Sequence, residues 1–191
     1  MVAPLAVVIG GSAGALEVLR MIVRELPRSL SCPVVIVIHL PSHSSGLAEL
    51  LAADTVLRVK QAEDKEPIVA GTVYIAPPSY HLLVESQQTF ALSVDPPVHF
   101  SRPSIDVLFE TACDVYGAGL VGVLLSGASE DGAVGLQEIH AAGGMTIVQS
   151  PLSAEVAIMP AAALALFEPT YIWSPNDIAS GLMKLLSGRS S

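Results

Sequence analysis

A serine stands in a glycine-rich segment close to the start of the chain. The segment Gly10-Gly11-Ser12-Ala13-Gly14 fits the pattern G-x-S-x-G and lies between an apolar run and a helix-like pattern. Small neighbours allow a sharp turn between a strand and a helix, and such a turn can expose a serine hydroxyl as a nucleophile. Free N–H groups at the start of the following helix would favour a developing oxyanion. The segment therefore predicts Ser12 as a nucleophile, provided that a base lies nearby.

Two other polar residues follow predicted strands at comparable places. His39 comes directly after the apolar run Val34–Ile38, and Asp131 follows the run that begins at Val121. Parallel strands place their carboxyl ends at one edge of the sheet, so Ser12, His39 and Asp131 are predicted to converge there. A serine, an imidazole and a carboxylate form the triad of serine hydrolases. Taken singly, His39 could be a loop residue and Asp131 a turn or helix-cap residue.

A phosphate-binding turn is the alternative explanation for the same glycines. A dinucleotide fingerprint requires G-x-G-x-x-G and an acidic residue about 20 residues further on. Here Ser12 and Ala15 occupy two of the three glycine positions, and the stretch after the second strand offers no Asp or Glu. A Walker loop would need a lysine after the glycines, and none follows. Nucleotide binding is therefore the less favoured interpretation, and no cofactor is expected.

Short apolar runs alternate with amphipathic patterns along most of the chain. Apolar runs that lack alternating polar residues are typical of parallel strands covered on both faces. They predict strands at Leu5–Ile9, Val34–Ile38, Gly71–Ile75, Val121–Leu125 and Met145–Val148. The patterns between them predict helices at Ala15–Leu26, Ser45–Ala53, Ser104–Tyr116 and Gly132–Ala142. This order predicts an α/β fold with a doubly wound, mostly parallel sheet in a three-layer αβα sandwich.

The segment from His81 to Pro97 differs from the rest because apolar and polar residues alternate in it. It predicts a small antiparallel hairpin insert with a polar turn at residues 86–88. No linker or internal repeat divides the chain. A length of 191 residues fits one domain, so residues 1–191 are predicted to form a single domain.

The composition limits the possible partners and locations. The formal net charge is −9 and the nine Lys and Arg are scattered, so neither nucleic acid nor an anionic membrane surface is an expected partner. No apolar run approaches the ~20 residues needed to span a bilayer, so no membrane insertion is expected. The start of the chain lacks the basic segment of a signal peptide, and the two cysteines match no metal or redox spacing. A cytoplasmic protein with reduced thiols is predicted.

Several further polar residues have ordinary structural explanations. His43 lies four residues after His39 and could suggest a metal pair, but a histidine in a Pro- and Ser-containing loop more often lines a groove or faces solvent. No metal is therefore expected. His81 is predicted to be structural. Ser104 is predicted to cap a helix, and Asp106 to lie in the first turn of that helix.

Five segments resemble the catalytic domain of the CheB chemotaxis methylesterase family. They are VVIGGSAGALEVL, PVVIVIHLPSHSSGLAELL, AEDKEPIVAGTVYIAPPSYHLLV, RPSIDVLFETA and GVLLSGASEDGAVGLQEIHAAGG, and they occur in the family's order over about residues 5–186. The resemblance implies a parallel α/β sandwich that hydrolyses glutamyl methyl esters on the cytoplasmic helices of chemoreceptors. Many family members also deamidate receptor glutamines. The resemblance further implies Ser12 as the nucleophile, His39 as the base and Asp131 as the residue that orients the base.

Three positions depart from the family's usual pattern. Ala13 and Ala15 replace a threonine and a glycine in the first turn, and Ala128 stands where methionine is usual. Alanine keeps the backbone N–H groups, so Ala13, Gly14 and Ala128 are still the predicted residues of the oxyanion hole and substrate loop. Arg102 lies in a segment that resembles the region beside the family's site, and it is predicted to contact the substrate.

Family members commonly carry an N-terminal receiver domain, whereas this sequence starts directly at the predicted catalytic strand. The expectation is a methylesterase of methyl-accepting chemotaxis receptors that is either free-standing or controlled by a separate response-regulator partner. Two alternatives stay open. One is a serine hydrolase of the same architecture that acts on another methylated or amidated protein. The other is a binding module with little catalysis.

Overall fold

Nine strands form two sheets in the computed structural model, which describes residues 5–39 and 46–187. In chain order the strands are β1 (Ala6–Gly11), β2 (Val34–Ile38), β3 (Arg58–Gln61), β4 (Thr72–Ile75), β5 (His81–Val84), β6 (Phe90–Ser93), β7 (Leu120–Leu124), β8 (Met145–Gln149) and β9 (Tyr171–Trp173). The main sheet has the order β3-β4-β2-β1-β7-β8-β9, and every neighbouring pair in it is parallel. β5 and β6 form a separate antiparallel pair.

Six α-helices accompany these strands in the part of the chain that the structure describes. They are α1 (Leu16–Glu25), α2 (Leu47–Ala52), α3 (Ile105–Tyr116), α4 (Ala133–Ala141), α5 (Ile158–Leu166) and α6 (Pro175–Leu186). Side chains of α1, α2 and α6 belong to the hydrophobic core on one face of the main sheet. Side chains of α3, α4, α5 and the β5–β6 pair belong to the core on the other face. The predicted α/β fold, with a parallel sheet in a three-layer sandwich and a small antiparallel hairpin, is confirmed.

The central strand β1 shows why the strands are apolar throughout. Val7 and Ile9 point into the core beside α1, and Ala6 and Val8 point into the core beside α3. Successive side chains of a strand face opposite sides of a sheet, so a strand covered on both faces needs an apolar residue at every position. All six residues of β1 are buried.

The structure adds two strands, β3 and β9, and two α-helices, α5 and α6, that the sequence did not predict. The predicted strands and helices are all present, with bounds that differ from the predicted ones by at most two residues. The predicted hairpin is shorter than the segment assigned to it, because its second strand ends at Ser93. None of the described helices is both long and apolar enough to cross a membrane.

The chain leaves β1 towards β2 on one side of the sheet and later returns to β7 on the other side. The order of strands therefore reverses at β1, and the loops after β1 and β7 leave the sheet edge in different directions. In open α/β sheets such a switch point opens a crevice at the carboxyl ends of the strands, where ligands bind. A functional site is consequently expected among the residues that follow β1, β2 and β7.

Candidate active site

The turn between β1 and α1 carries Ser12. The backbone N–H of Ser12 donates to the carbonyl of Ser126 at 2.9 Å, and the carbonyl of Ser12 accepts from the N–H of Ala15 at 3.0 Å. Gly14 has a φ of +79°, and a Cβ at this position would lie 2.5 Å from the Cβ of Glu155. The turn therefore requires glycine there. It holds the half-buried Ser12 at the carboxyl end of β1.

The loop after β7 packs against Ser12. A Cβ at Gly127 would lie 3.0 Å from the Cβ of Ser12, so the missing side chain allows this close approach. The Ser126 hydroxyl donates to the carbonyl of Ala13 at 2.7 Å and accepts from the N–H of Val156 at 2.9 Å. Ser126 thus links the loops that follow β1, β7 and β8. Sequence reasoning missed Ser126 because a serine after an apolar strand looks like an ordinary turn residue.

His39 and Asp131 are in direct contact. His39 Nε2 lies 2.8 Å from Asp131 Oδ2, although 92 positions separate the two residues in the sequence. The backbone N–H of His39 donates to the carbonyl of Gly11 at 3.0 Å, and Gly11 immediately precedes Ser12. The three residues therefore lie at the ends of three neighbouring strands, β2, β1 and β7.

The Asp131 carboxylate is fully buried and accepts four hydrogen bonds. Oδ2 accepts from His39 Nε2 at 2.8 Å and from the N–H of Ile105 at 2.7 Å. Oδ1 accepts from the Ser104 hydroxyl at 2.8 Å and from the N–H of Asp106 at 3.0 Å. Burial alone would raise the pKa of Asp131, but the hydrogen bonds from His39, from the start of α3 and from Ser104 lower it below its ordinary value. The carboxylate is therefore held ionised, as a group that orients an imidazole must be.

The bond to Asp131 determines which nitrogen of His39 can accept a proton. An ionised carboxylate only accepts hydrogen bonds, so Nε2 carries the ring proton and Nδ1 keeps its lone pair. The Ser101 hydroxyl lies 3.3 Å from Nδ1. Among the described residues, Ser12 Oγ makes no hydrogen bond with His39. Catalytic hydrogen bonds are often long without substrate and tighten when it binds, and Ser12 stays the predicted nucleophile.

Three backbone N–H groups near Ser12 are candidates for an oxyanion hole. Within the part of the chain that the structure describes, the N–H groups of Ala13, Gly14 and Ala128 have no hydrogen-bond acceptor. The neighbouring N–H of Gly127 is already used, since it donates to the carbonyl of Val156 at 3.0 Å. Ala13 and Gly14 belong to the turn that carries Ser12, and Ala128 belongs to the loop after β7 that packs against this turn.

A cavity of about 200 Å³ adjoins His39 on the side of β2 and β4. Its lining includes Ser101 and Arg102 but not Ser12. The Arg102 guanidinium donates from Nη1 to the carbonyls of Val94 at 2.7 Å and Asp95 at 3.0 Å. Arg102 therefore braces the segment after β6 while lining the cavity, and its contact with substrate stays a prediction. Nowhere in the described part of the chain do three His, Cys, Asp or Glu side chains form a group that could hold a metal ion.

The predicted structural roles of three polar residues agree with their contacts. His81 is buried, accepts from the N–H of Ser104 at Nδ1 (3.2 Å) and contacts the carbonyl of Pro96 through Nε2 (3.1 Å). Ser104 caps α3, and Asp106 lies in the first turn of this helix. Ser104 also binds Asp131, a role that the sequence did not reveal. His43 lies outside the described residues.

Replacing Asp106 with asparagine is expected to change how stability depends on pH. Burial raises the pKa of Asp106 to about 6, opposed by the Gly135 N–H and reinforced by the charge of Asp131. The unfolded carboxyl titrates near its ordinary pKa of 3.8, so the free energy of unfolding falls as pH rises between these two values. Asparagine does not ionise and can keep the 2.8 Å bond from the Gly135 N–H. In urea unfolding, the difference in free energy of unfolding between the variant and wild type should therefore grow by about 1–3 kcal/mol, in favour of the variant, as pH rises from about 4 to about 7.

Asp114 provides the matched control for this comparison. It is exposed on the same helix, so Asp114→Asn removes a carboxylate from α3 without changing a buried contact. Stability curves of wild type and Asp106→Asn that run parallel over the whole pH range would contradict the raised pKa of Asp106.

Comparison with known proteins identifies the family of the chain. The sequence model described as CheB methylesterase matches residues 7–182. A Leptospira interrogans protein, named provisionally as a protein-glutamate methylesterase/protein-glutamine glutaminase, is 46% identical over 181 residues, which cover 94% of this chain and 94% of that protein. A Symbiobacterium thermophilum protein with the same name is 35% identical over 93% of this chain, but the match covers only 49% of that longer protein.

A solved structure agrees with the sequence comparisons. The crystal structure of the Thermotoga maritima CheB methylesterase catalytic domain superposes with a TM-score of 0.91 at 31% identity, over 96% of this chain and 100% of that chain. The resemblance inferred from five short segments is therefore confirmed over nearly the whole chain. This chain belongs to the CheB methylesterase family.

Proposed function

We propose that the chain hydrolyses glutamyl methyl esters of proteins, with Ser12 as nucleophile, His39 as base and Asp131 as the residue that orients the base. The 2.8 Å bond between His39 and the buried Asp131, beside the turn that exposes Ser12, is the observation that carries this proposal. Membership of the CheB methylesterase family supports the reaction, and the names of the relatives include protein-glutamate methylesterase and protein-glutamine glutaminase.

The first half of the reaction forms an acyl-enzyme. Ser12 Oγ attacks the ester carbonyl carbon while its proton passes to Nδ1 of His39, which is the nitrogen with the lone pair. Nε2 keeps its proton and its bond to Asp131, so the imidazolium is stabilised by a carboxylate that stays ionised. The proton on Nδ1 then passes to the departing methoxide, the C–O bond to it breaks, and methanol leaves.

The second half of the reaction restores the enzyme. Water attacks the acyl carbonyl carbon, gives one proton to Nδ1, and displaces Ser12 Oγ, which takes that proton back. The products are a glutamate side chain and the free hydroxyl of Ser12. In both halves the carbonyl oxygen becomes negative, and the unpaired N–H groups of Ala13, Gly14 and Ala128 supply the donors that stabilise it.

The same machinery accounts for deamidation of glutamine. A primary amide has the same acyl group as the methyl ester, and its leaving group is ammonia in place of methanol. The acyl-enzyme and its hydrolysis by water are then identical for both substrates. An amide is the harder substrate because its leaving group must be protonated before it departs. Esterase activity is therefore expected to exceed deamidase activity.

The substrates are methyl-accepting chemotaxis receptors in the cytoplasm. A net charge of −9 gives no long-range attraction to an acidic receptor surface, so shape and local contacts must provide recognition. Arg102 is a candidate for such a contact, because it lines the cavity beside His39.

A receptor cytoplasmic fragment that carries tritiated glutamyl methyl esters tests this function. The chain should release volatile tritiated methanol, and a fluorophosphonate, which phosphonylates activated serines, should modify Ser12 as identified by peptide mass spectrometry. Release from a small glutamyl methyl ester but not from the fragment would favour a hydrolase of another protein. Binding of the fragment without any release would favour a binding module, and modification of a different serine would contradict the role of Ser12.

A further inference from the structure

Nδ1 of His39 is the nitrogen that must take the proton, and its hydrogen-bond partner in the structure is Ser101. The Ser101 hydroxyl lies 3.3 Å from Nδ1 and 3.5 Å from the carbonyl of His99. It therefore has two acceptors within reach, one on the base and one on its own turn. The reaction described above does not use Ser101.

The turn that positions Ser101 has an unusual backbone. The N–H of Val98 donates to the carbonyl of Ser101 at 3.1 Å, and the N–H of Ser101 donates to the carbonyl of Val98 at 2.8 Å. The two residues between them, His99 and Phe100, have φ values of +47° and +61°. Left-handed backbone costs about 1 kcal/mol or more for a residue other than glycine, and such conformations concentrate at functional sites. The turn therefore adopts an unfavourable backbone in the segment that brings Ser101 to His39.

A hydroxyl suits both protonation states of the base. It donates to the lone pair of neutral Nδ1, and it can rotate and accept from Nδ1–H after Ser12 has given up its proton. Between these states it can turn to the carbonyl of His99 and leave Nδ1 free for Ser12. The Ser101 O–H bond never breaks, and only the direction of its hydrogen bond changes. An alanine or valine at this position could do none of this.

We propose that Ser101 is a positioning residue, which fixes the Nδ1 edge of His39 while Asp131 holds the Nε2 edge. The two contacts, at 3.3 Å and 2.8 Å, fix the ring at both of its nitrogens. This inference rests on the proposed function, because it assumes that Nδ1 takes the proton of Ser12.

The matched pair Ser101→Thr and Ser101→Val tests the hydroxyl alone, because threonine and valine have the same shape. Fluorophosphonate modification of Ser12 provides the readout without any protein substrate. The maximal rate of modification is expected to fall about tenfold in Ser101→Val and to stay within about threefold of wild type in Ser101→Thr, as the loss of one hydrogen bond to the base predicts. The reagent concentration giving half the maximal rate should not change, because binding of the reagent does not involve Ser101.

A spectrum of ¹⁵N-labelled histidine gives a second readout that a general loss of stability would not mimic. The Nδ1 signal of His39 is expected to shift in Ser101→Val, which removes the donor, and to stay near its wild-type position in Ser101→Thr. Equal modification rates and equal Nδ1 signals in the two variants would overturn the role of Ser101. Modification of Ser101 itself in the wild type would overturn it as well, because Ser101 would then be the nucleophile.

The two proposals fail in different ways. If the wild type releases methanol but the reagent never modifies Ser12, the assignment of Ser12 falls and the role of Ser101 falls with it. If Ser12 is modified in the wild type and the valine and threonine variants behave alike, only the role of Ser101 falls.

Discussion

Replacing Ser12 with alanine is expected to lower the rate of methanol release by a factor of about 10³ or more, because the acyl-enzyme cannot form without the hydroxyl. The fold should persist, since the backbone bonds of this turn to Ser126 and Ala15 do not involve the hydroxyl. Methanol release from a tritiated receptor fragment gives the rate, and the thermal midpoint gives the stability. The unpaired N–H groups beside the turn would still bind the carbonyl oxygen, so a small residual rate above that of water is expected.

Ser86→Ala is the matched control for this variant. Ser86 is exposed in the hairpin turn between β5 and β6, so the control removes a serine hydroxyl remote from the site. It should keep both the rate and the thermal midpoint of the wild type. Methanol release by Ser12→Ala within tenfold of wild type would rule out Ser12 as the nucleophile.

The second large effect is expected at Asp131, where Asp131→Asn should lower the rate by about 10³ to 10⁴. All four groups around this carboxylate act as hydrogen-bond donors towards it: His39, Ser104 and the N–H groups of Ile105 and Asp106. An amide NH₂ at one oxygen position would face two of these donors and leave them unpaired. If the NH₂ group faces His39, it favours the tautomer with the proton on Nδ1, which cannot act as the base towards Ser12.

Stability should change in the same variant. A buried donor without an acceptor costs about 1–3 kcal/mol, so Asp131→Asn should lower the free energy of unfolding by that order in urea titrations. A double variant with His39→Ala separates the two effects. The loss of rate should be far from additive, because His39 and Asp131 act as one unit, and additive losses would contradict the shared role.

The centre of the fold could be predicted because its sequence pattern has one main explanation. Five short, mostly apolar runs that are rich in Val and Ile and lack alternating polar residues require cover on both faces, and all five are strands of the parallel sheet. The same reasoning could not find the strands at the margins. β3 has the sequence RVKQ and exposes both of its ends, and β9 has only three residues, none of them buried. A strand with one unpaired side and little buried surface lacks the apolar run on which the prediction depends.

The two helices that were not predicted, α5 and α6, differ in how clearly their sequences indicate a helix. α5 has the sequence IMPAAALAL, whose Ala and Leu favour a helix, but it is apolar on every side and contains Pro160, so no amphipathic period indicates one. α6 begins with recognisable signals. Ser174 accepts a hydrogen bond from the N–H of Asp177, and Pro175 occupies the first helical position. A serine followed by proline and an acidic residue predicts a helix start, and this signal could have been used.

The site was predictable where it depends on topology and unpredictable where it depends on side-chain packing. His39 and Asp131 could be brought together from the sequence because both follow strands of one parallel sheet. The role of the start of α3 could not be foreseen, since nothing in the sequence near Ile105 shows that its N–H points at a carboxylate 26 residues away. Ser101 could not be predicted for the same reason, because no sequence motif indicates the conformation of the turn that brings it to His39.

The position of the site within the sheet has a consequence for partial unfolding. β1, β2 and β7 each have a strand on either side, and a further strand separates β2 from the margin at β3 and β7 from the margin at β9. Local openings of a native protein begin where few contacts must break. Amide protons of β3 and β9 should therefore exchange with deuterium well before those of β1. In dilute urea, this exchange should proceed while the rate of methanol release is still that of the native protein.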